Sequence, residues 1–335
     1  MRKNILKSFG KLLPSLTFVP FYIFIFSKFN GGVVISTIYL VNLAGFLSLF
    51  DFGASIKPLL KTETTIPCNL DVLKIYALQS TMLVTVILLS GITNILPGIE
   101  GYFGILLFSF YTLILTLTNR ARIVLDLVCE NNFDLSFIRG ASGFFRWTSI
   151  SIFLAADFSS FSIMLILLIL SEFIFLLIMV KFRQKKAVRP NFDYIVKSND
   201  LKLSWVGNLS YSFLDIYIRN GFLITESVNL FVIFDLISRI MIVLNIFTSL
   251  IISKIQQLDV KYDKVRSLVF RHAFRFIFVL IVAFSFLLDA PQAYLVSAFL
   301  LSFITMIGFG IGKVKIVYNT KILAALIIIA SDLAP

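Results

Sequence analysis

Four charged side chains interrupt one of the most apolar stretches of the chain. Asp215, Arg219, Asp235 and Arg239 all stand within "YSFLDIYIRNGFLITESVNLFVIFDLISRI", residues 211–240. Two carboxylates and two guanidiniums spaced in this way can neutralise one another, so that the segment tolerates apolar surroundings, or they can present fixed charge to a passing ion. Ser204, Asn208, Tyr211 or Ser212, Asp215 and Arg219 recur every three or four residues, which makes one polar stripe on a helix. Trp205, Leu209, Phe213, Ile216 and Ile218 occupy the other side. If the chain folds back at Thr225, Asp215 and Asp235 are equally far from the turn, about 15 Å at 1.5 Å per residue. The expectation is a stack, with Arg219 one turn nearer the fold, two carboxylates level in the middle, and Arg239 level with Tyr211 beyond them. Pairing for insertion and lining of a path are compatible, because a paired stack can exchange partners when a ligand arrives.

Two more charges fall on apolar ground. Arg146 in "GFFRWTS" adjoins Trp147 and reads either as an interfacial anchor or as a cation for a path. Glu172 in "LILSEFIFLL" reads either as a proton-linked group or as a hydrogen-bonding group between helices. Other candidates carry little chemistry. His272 lies in the basic stretch "RSLVFRHAFR", a solvated or headgroup-facing setting, and Cys68 and Cys129 have no partner spacing. "DFG" at residues 51–53 lacks the glycine loop and catalytic loop that would give it meaning. No catalytic set, metal ligand set or cofactor site is expected.

The elements that must position these charges follow from composition. Hydrophobic residues make up 59% of the 335, charged residues only 14%, and mean hydropathy is +0.96. Such a chain is expected to be an all-α, polytopic membrane protein, because its long apolar runs suit spanning helices and not the short alternating strands of a barrel. The expected spans are 12–29, 33–50, 73–95, 101–118, 141–158, 161–180, 203–223, 227–253, 274–289 and 293–311, with 322–335 beginning an eleventh. "MRKNILKSFGKLL" has the basic flank of a signal peptide without a cleavage site, so the first apolar run reads as a retained span. With the N-terminus cytoplasmic, every basic residue but Lys28, Arg219 and Arg239 falls on the inner side, while Glu100, Asp157, Glu226, Asp289 and Asp332 fall on the outer. The net charge of +12 is then inside-positive bias and attraction to anionic lipid, not a nucleic-acid footprint. The segment 181–202, "KFRQKKAVRPNFDYIVKSNDLK", is the longest break between spans and reads as a basic cytoplasmic linker. It separates an N-terminal six-helix bundle, 1–180, from a C-terminal bundle, 203–335, that stops within its last span.

"FNGGVVISTIYLVNLAGFLSLFDFG" at 29–53, the mid-helix Asp215, "NG" at 220–221 and "LFVIFDLISRI" at 230–240 together resemble the O-antigen and polysaccharide flippase family of the MATE-like transporter superfamily. The resemblance implies two helical bundles around a central cavity in the bacterial cytoplasmic membrane. It also implies movement of a lipid-linked oligosaccharide, a polyprenyl-pyrophosphate repeat unit, from the inner to the outer leaflet, beside polysaccharide assembly proteins. On that footing Arg219, Arg239 and Arg146 would compensate the phosphates. Asp215, Asp235, Asn208, Tyr211 and Glu172 would complete a polar path for the glycan. Two other readings stand beside it. A membrane-embedded O-antigen polymerase or glycosyltransferase shares the composition but ordinarily has a large outer loop, and a MATE-like cation or drug antiporter would place an acidic residue in the first span.

Overall fold

The computed structural model of the chain describes residues 31–48, 99, 101–128, 133–156, 160–184, 199–224, 229–237, 262–310 and 314–333. Arg239, Cys68, Cys129, residues 51–53, the expected spans 12–29 and 73–95, and residues 238–253 of the eighth lie outside them. Among the described residues every regular element is helical and there is no strand. The helices are α1 Gly31–Leu47, α2 Gly101–Val128, α3 Phe133–Ala155, α4 Phe161–Gln184, α5 Asn199–Ile224, α6 Tyr262–Leu287, α7 Ala290–Gly310 and α8 Val314–Leu333. Residues 229–237 are also helical. Among the described residues two stretches, Gly101–Asn119 and Phe161–Met179, are long and apolar enough to cross a membrane, and Val33–Leu47, Phe274–Leu287 and Pro291–Thr305 are shorter apolar helices.

Several boundaries differ from the apolar runs, and the reason is the same each time. Hydropathy marks where a helix is apolar on all sides, whereas backbone hydrogen bonding continues for as long as one face can pack. The last helix therefore does not begin at 322. It runs from Val314 to Leu333, which places Lys315 and Lys321 within α8. Likewise α6 starts at Tyr262, well inside the basic stretch, and carries His272 exposed on its surface. The segment 181–202 is helical at both ends, through Gln184 and from Asn199.

The chain divides into two compact units, Met1–Leu201 and Lys202–Pro335. In the first, α4 packs on both α2 and α3, and α1 lies on α2. Ser160 caps α4, its hydroxyl accepting from the Ser162 amide at 3.3 Å. Asn119 Nδ2 donates to Ser48 Oγ at 3.1 Å and ties α2 to the end of α1. In the second unit α6, α7 and α8 pack on one another. Pro291 sits in the first turn of α7, where its missing amide hydrogen leaves no helical bond unmade.

Burial on α4 is reversed from what water would select. Glu172 is 0% exposed, yet its neighbours Phe173 and Ile174 are 46% and 55% exposed, with Leu170, Leu177 and Ile178 on the same outward surface. Hydroxyl groups are kept satisfied locally. Thr37, Ser109, Thr112, Thr116, Thr148, Ser149, Ser151, Ser210, Ser285 and Thr305 each donate to the carbonyl one turn back on their own helix, at 2.8–2.9 Å.

Candidate functional site

In the second unit α5 supplies Asp215 and Arg219 one turn apart, and the helical segment 229–237 supplies Asp235. Arg219 Nε donates to Asp215 Oδ2 at 3.0 Å, and Nη1 lies 2.5 Å from Asp235 Oδ1. The guanidinium is thus held between two carboxylates that lie equally far from Thr225 in the sequence. Its carbon lies 4.9 Å from the Phe234 ring centre and 5.5 Å from that of Phe231, which adds cation–π attraction. Arg219 is 3% exposed and Asp235 0%, whereas the Asp215 side chain is 29% exposed. Asp215 borders a small hollow of about 10 Å³ with Leu214, Ile218, Phe234, Ala298, Leu301 and Ser302. The sequence placed Arg219 one turn from two level carboxylates, either paired with them or lining a path with them; in the structure it is their common, enclosed partner. Arg239 lies outside the described residues. Asn208 is half-buried on the same helix, and Tyr211 lies on α5 with its backbone alone described.

The first unit holds a separate charged cluster. Arg146 of α3 donates from Nε to Glu172 Oε1 of α4 at 2.9 Å, and its Nη2 donates to the same oxygen. The Arg146 side chain is 21% exposed and that of Glu172 1%. The phenol of Tyr111 on α2 completes the group, within electrostatic reach of both. Two buried atoms here have no hydrogen-bond partner among the described residues: Glu172 Oε2 and Tyr111 Oη. Thr118 of α2 donates to the Glu172 backbone carbonyl at 3.5 Å, so α2 and α3 both meet α4 at this residue. Of the two readings of Glu172, a hydrogen-bonding role between helices is present. Arg146 is not solely an interfacial anchor.

Two further groups in the second unit were not singled out by sequence. Lys321 is 3% exposed on α8, its ammonium 5.5 Å from the Tyr318 ring centre. The signal that could have found it is helical phase, since Val317, Thr320, Ala324, Ala325 and Ile328 share the buried face. The second is a tie between helices, in which Tyr217 of α5 donates to Asp332 Oδ2 near the end of α8, with Tyr294 of α7 packed edge-on to Tyr217 at 6.1 Å. Asp332 is exposed, so the tie is worth little: Tyr217→Phe is expected to destabilise the protein by about 1 kcal/mol, measured by thermal unfolding in detergent.

Among the described residues no group of three or more His, Cys, Asp or Glu side chains is placed to hold a metal ion. What the two clusters can do chemically is hold charge inside an apolar helical body and exchange ionic partners. No protein-family model, curated protein or solved structure matches the chain.

Proposed function

We propose that the chain is a multi-pass transporter of the bacterial cytoplasmic membrane, built as a MATE-like pair of helical bundles of ten or more spans. It moves a lipid-linked oligosaccharide from the inner to the outer leaflet. The observation that carries the transport reading is the reversed burial on α4 together with the enclosed ion pairs in both units. Large apolar side chains face outward where lipid would meet them, while Glu172, Arg219 and Asp235 are turned inward. In lipid an intramembrane charge is costly and is held only where it is paired or faces a polar route. The substrate class comes from the resemblance of residues 29–53 and 211–240 to polysaccharide flippases. A prenyl tail stays in lipid while the diphosphate and sugar need cationic and hydrogen-bonding groups that hydrocarbon lacks.

Deletion of the gene in its native strain tests this. The expected result is loss of surface polysaccharide, with the undecaprenyl-linked repeat unit accumulating at the inner leaflet. Single repeat units still reaching the surface would point to a polymerase instead, and unchanged polysaccharide with altered drug tolerance to an antiporter.

A further inference from the structure

Helix α6 turns one face outward along its length, and that face changes character partway. Phe276, Val279, Phe286 and Leu287 are 62–79% exposed, while Ile277 and Ile281 on the opposite side are buried. At about 3.6 residues per turn, Phe276, Val279 and Phe286 stand in one line. Continued one turn towards the start of the helix, the line reaches His272, with Arg275 beside it and Arg271 a further step around. All three are exposed. Among the described residues none of the three takes part in an ion pair or a hydrogen bond. Arg271 and Arg275 lie one turn apart, so their like charges repel. The helices packed on α6 bring no relief, because α7 carries no charged residue and the one carboxylate on α8 is Asp332, which accepts from Tyr217. The basic end of the face therefore calls for an anion from outside the chain.

The apolar end says which kind of anion. From Phe276 to Leu287 the face is about 16 Å long, close to half of the roughly 30 Å hydrocarbon thickness of a bilayer. One acyl chain of one leaflet covers that length. A soluble anion would compensate the arginines and leave the rings bare, whereas a lipid with a charged head answers both halves of the face. Resting on the membrane setting proposed above and on nothing in its substrate, we infer that Arg271, His272 and Arg275 bind the headgroup of an anionic phospholipid, whose acyl chain lies along Phe276, Val279 and Phe286. The guanidinium N–H groups take the phosphodiester oxygens, the imidazole supplies a further N–H, and the negative charge halves the uncompensated charge of the two arginines. The face is turned away from the helices that α6 packs on, so the lipid held there is a fixed neighbour of the protein and not its cargo.

Contact between one position and one lipid tests this. Trp147→Phe and Trp205→Phe remove the two native tryptophans, and Phe276→Trp makes the outward face the single reporter. In phosphatidylcholine bilayers a dibrominated acyl chain quenches that reporter on contact. Dibrominated phosphatidylglycerol should associate with it at least about tenfold more strongly than dibrominated phosphatidylcholine, since each arginine at an anionic headgroup contributes about fivefold. Arg271→Gln and Arg275→Gln should each lower the preference by about fivefold, and the two together should remove it. Leu170→Trp in place of Phe276→Trp, on the outward surface of α4, should show no such preference. Inorganic phosphate at matched ionic strength should leave it intact. A second readout uses the native tryptophans unchanged: spin-labelled phosphatidylglycerol should be immobilised by the chain more than spin-labelled phosphatidylcholine, and the double arginine variant should narrow the difference. Equal quenching by the two lipids, a preference that survives the double variant, or an equal preference at position 170 would each overturn the inference. Displacement by inorganic phosphate would assign the site to a free anion and overturn it as well. Recovery of the chain in the soluble fraction of lysed cells sinks the membrane reading and this inference with it, while a membrane-inserted chain without lipid preference sinks this inference alone.

Discussion

Asp235→Ala should destabilise the detergent-solubilised protein by roughly 3–5 kcal/mol, the range for removing one partner of an enclosed ion pair. The loss has two parts. Arg219 keeps only the bond from Nε to Asp215, and the Nη1 group facing Asp235 is left in an apolar pocket between Phe231 and Phe234. Asp215→Ala should cost much less, about 1 kcal/mol, because Asp215 is partly exposed and Arg219 keeps its enclosed partner. Position within the bundle, not residue type, sets the order. Replacing the whole group at once, Asp215→Asn with Arg219→Met and Asp235→Leu, should restore most of the stability lost in Asp235→Ala, since no charge is then stranded. Thermal unfolding of the three proteins in one detergent decides the matter. Equal losses for the two aspartates would show that Arg219 does not depend on the enclosed one.

Gly207→Val should be nearly as damaging, at about 3 kcal/mol, by overpacking. A Cβ built on Gly207 would lie 2.5–2.7 Å from Tyr318 Cβ, Cγ and Cδ1. The clash involves the root of the tyrosine, so rotation of the ring cannot relieve it and α5 must part from α8. Tyr318→Gly, which takes away the Cβ as well as the ring, removes the obstacle at the cost of a cavity. In that background Gly207→Ala should be neutral or stabilising, helped by up to about 1 kcal/mol of helix propensity. The double-mutant cycle should therefore give a coupling energy of the sign that marks mutual rescue. Independent losses would mean that the two helices do not meet there.

The legible part of the site was local. Asp215 and Arg219 lie one turn apart, and Asp235 comes level with Asp215 by counting residues from a turn, so helical rise alone brings three charges together. Arg146 and Glu172 lie on separate helices, and nothing in either sequence neighbourhood names the other. Only the packing of α3 against α4 does so, and it makes Arg146, whose sequence setting suited an anchor or a path cation, half of a pair. Tyr111 was missed because a tyrosine in "SFYTLILTLTN" looks like any interfacial aromatic until its helix is phased with Thr118, seven residues on. Helix limits were misjudged where Lys315, Asn319 and Lys321 dilute the hydropathy of a helix that buries only one side. The all-helical class was the easiest inference of all, because runs of twenty apolar residues have few other ways to satisfy their amides.

The ten serine and threonine hydroxyls that bond back to their own helices bear on how this body can deform. A hydroxyl spent within its helix places no demand on a neighbour, so along most of their length the helices touch through dispersion contacts that hold no particular axial register. Among the described residues the pins that fix registry include Arg146 on Glu172, Asn119 on Ser48, Thr118 on the Glu172 carbonyl, Tyr217 on Asp332 and Arg219 on Asp235. Friction within each unit is therefore concentrated, not spread. Withdrawing one pin lets a helix slip along its neighbour without disturbing the hydroxyls bonded back within it.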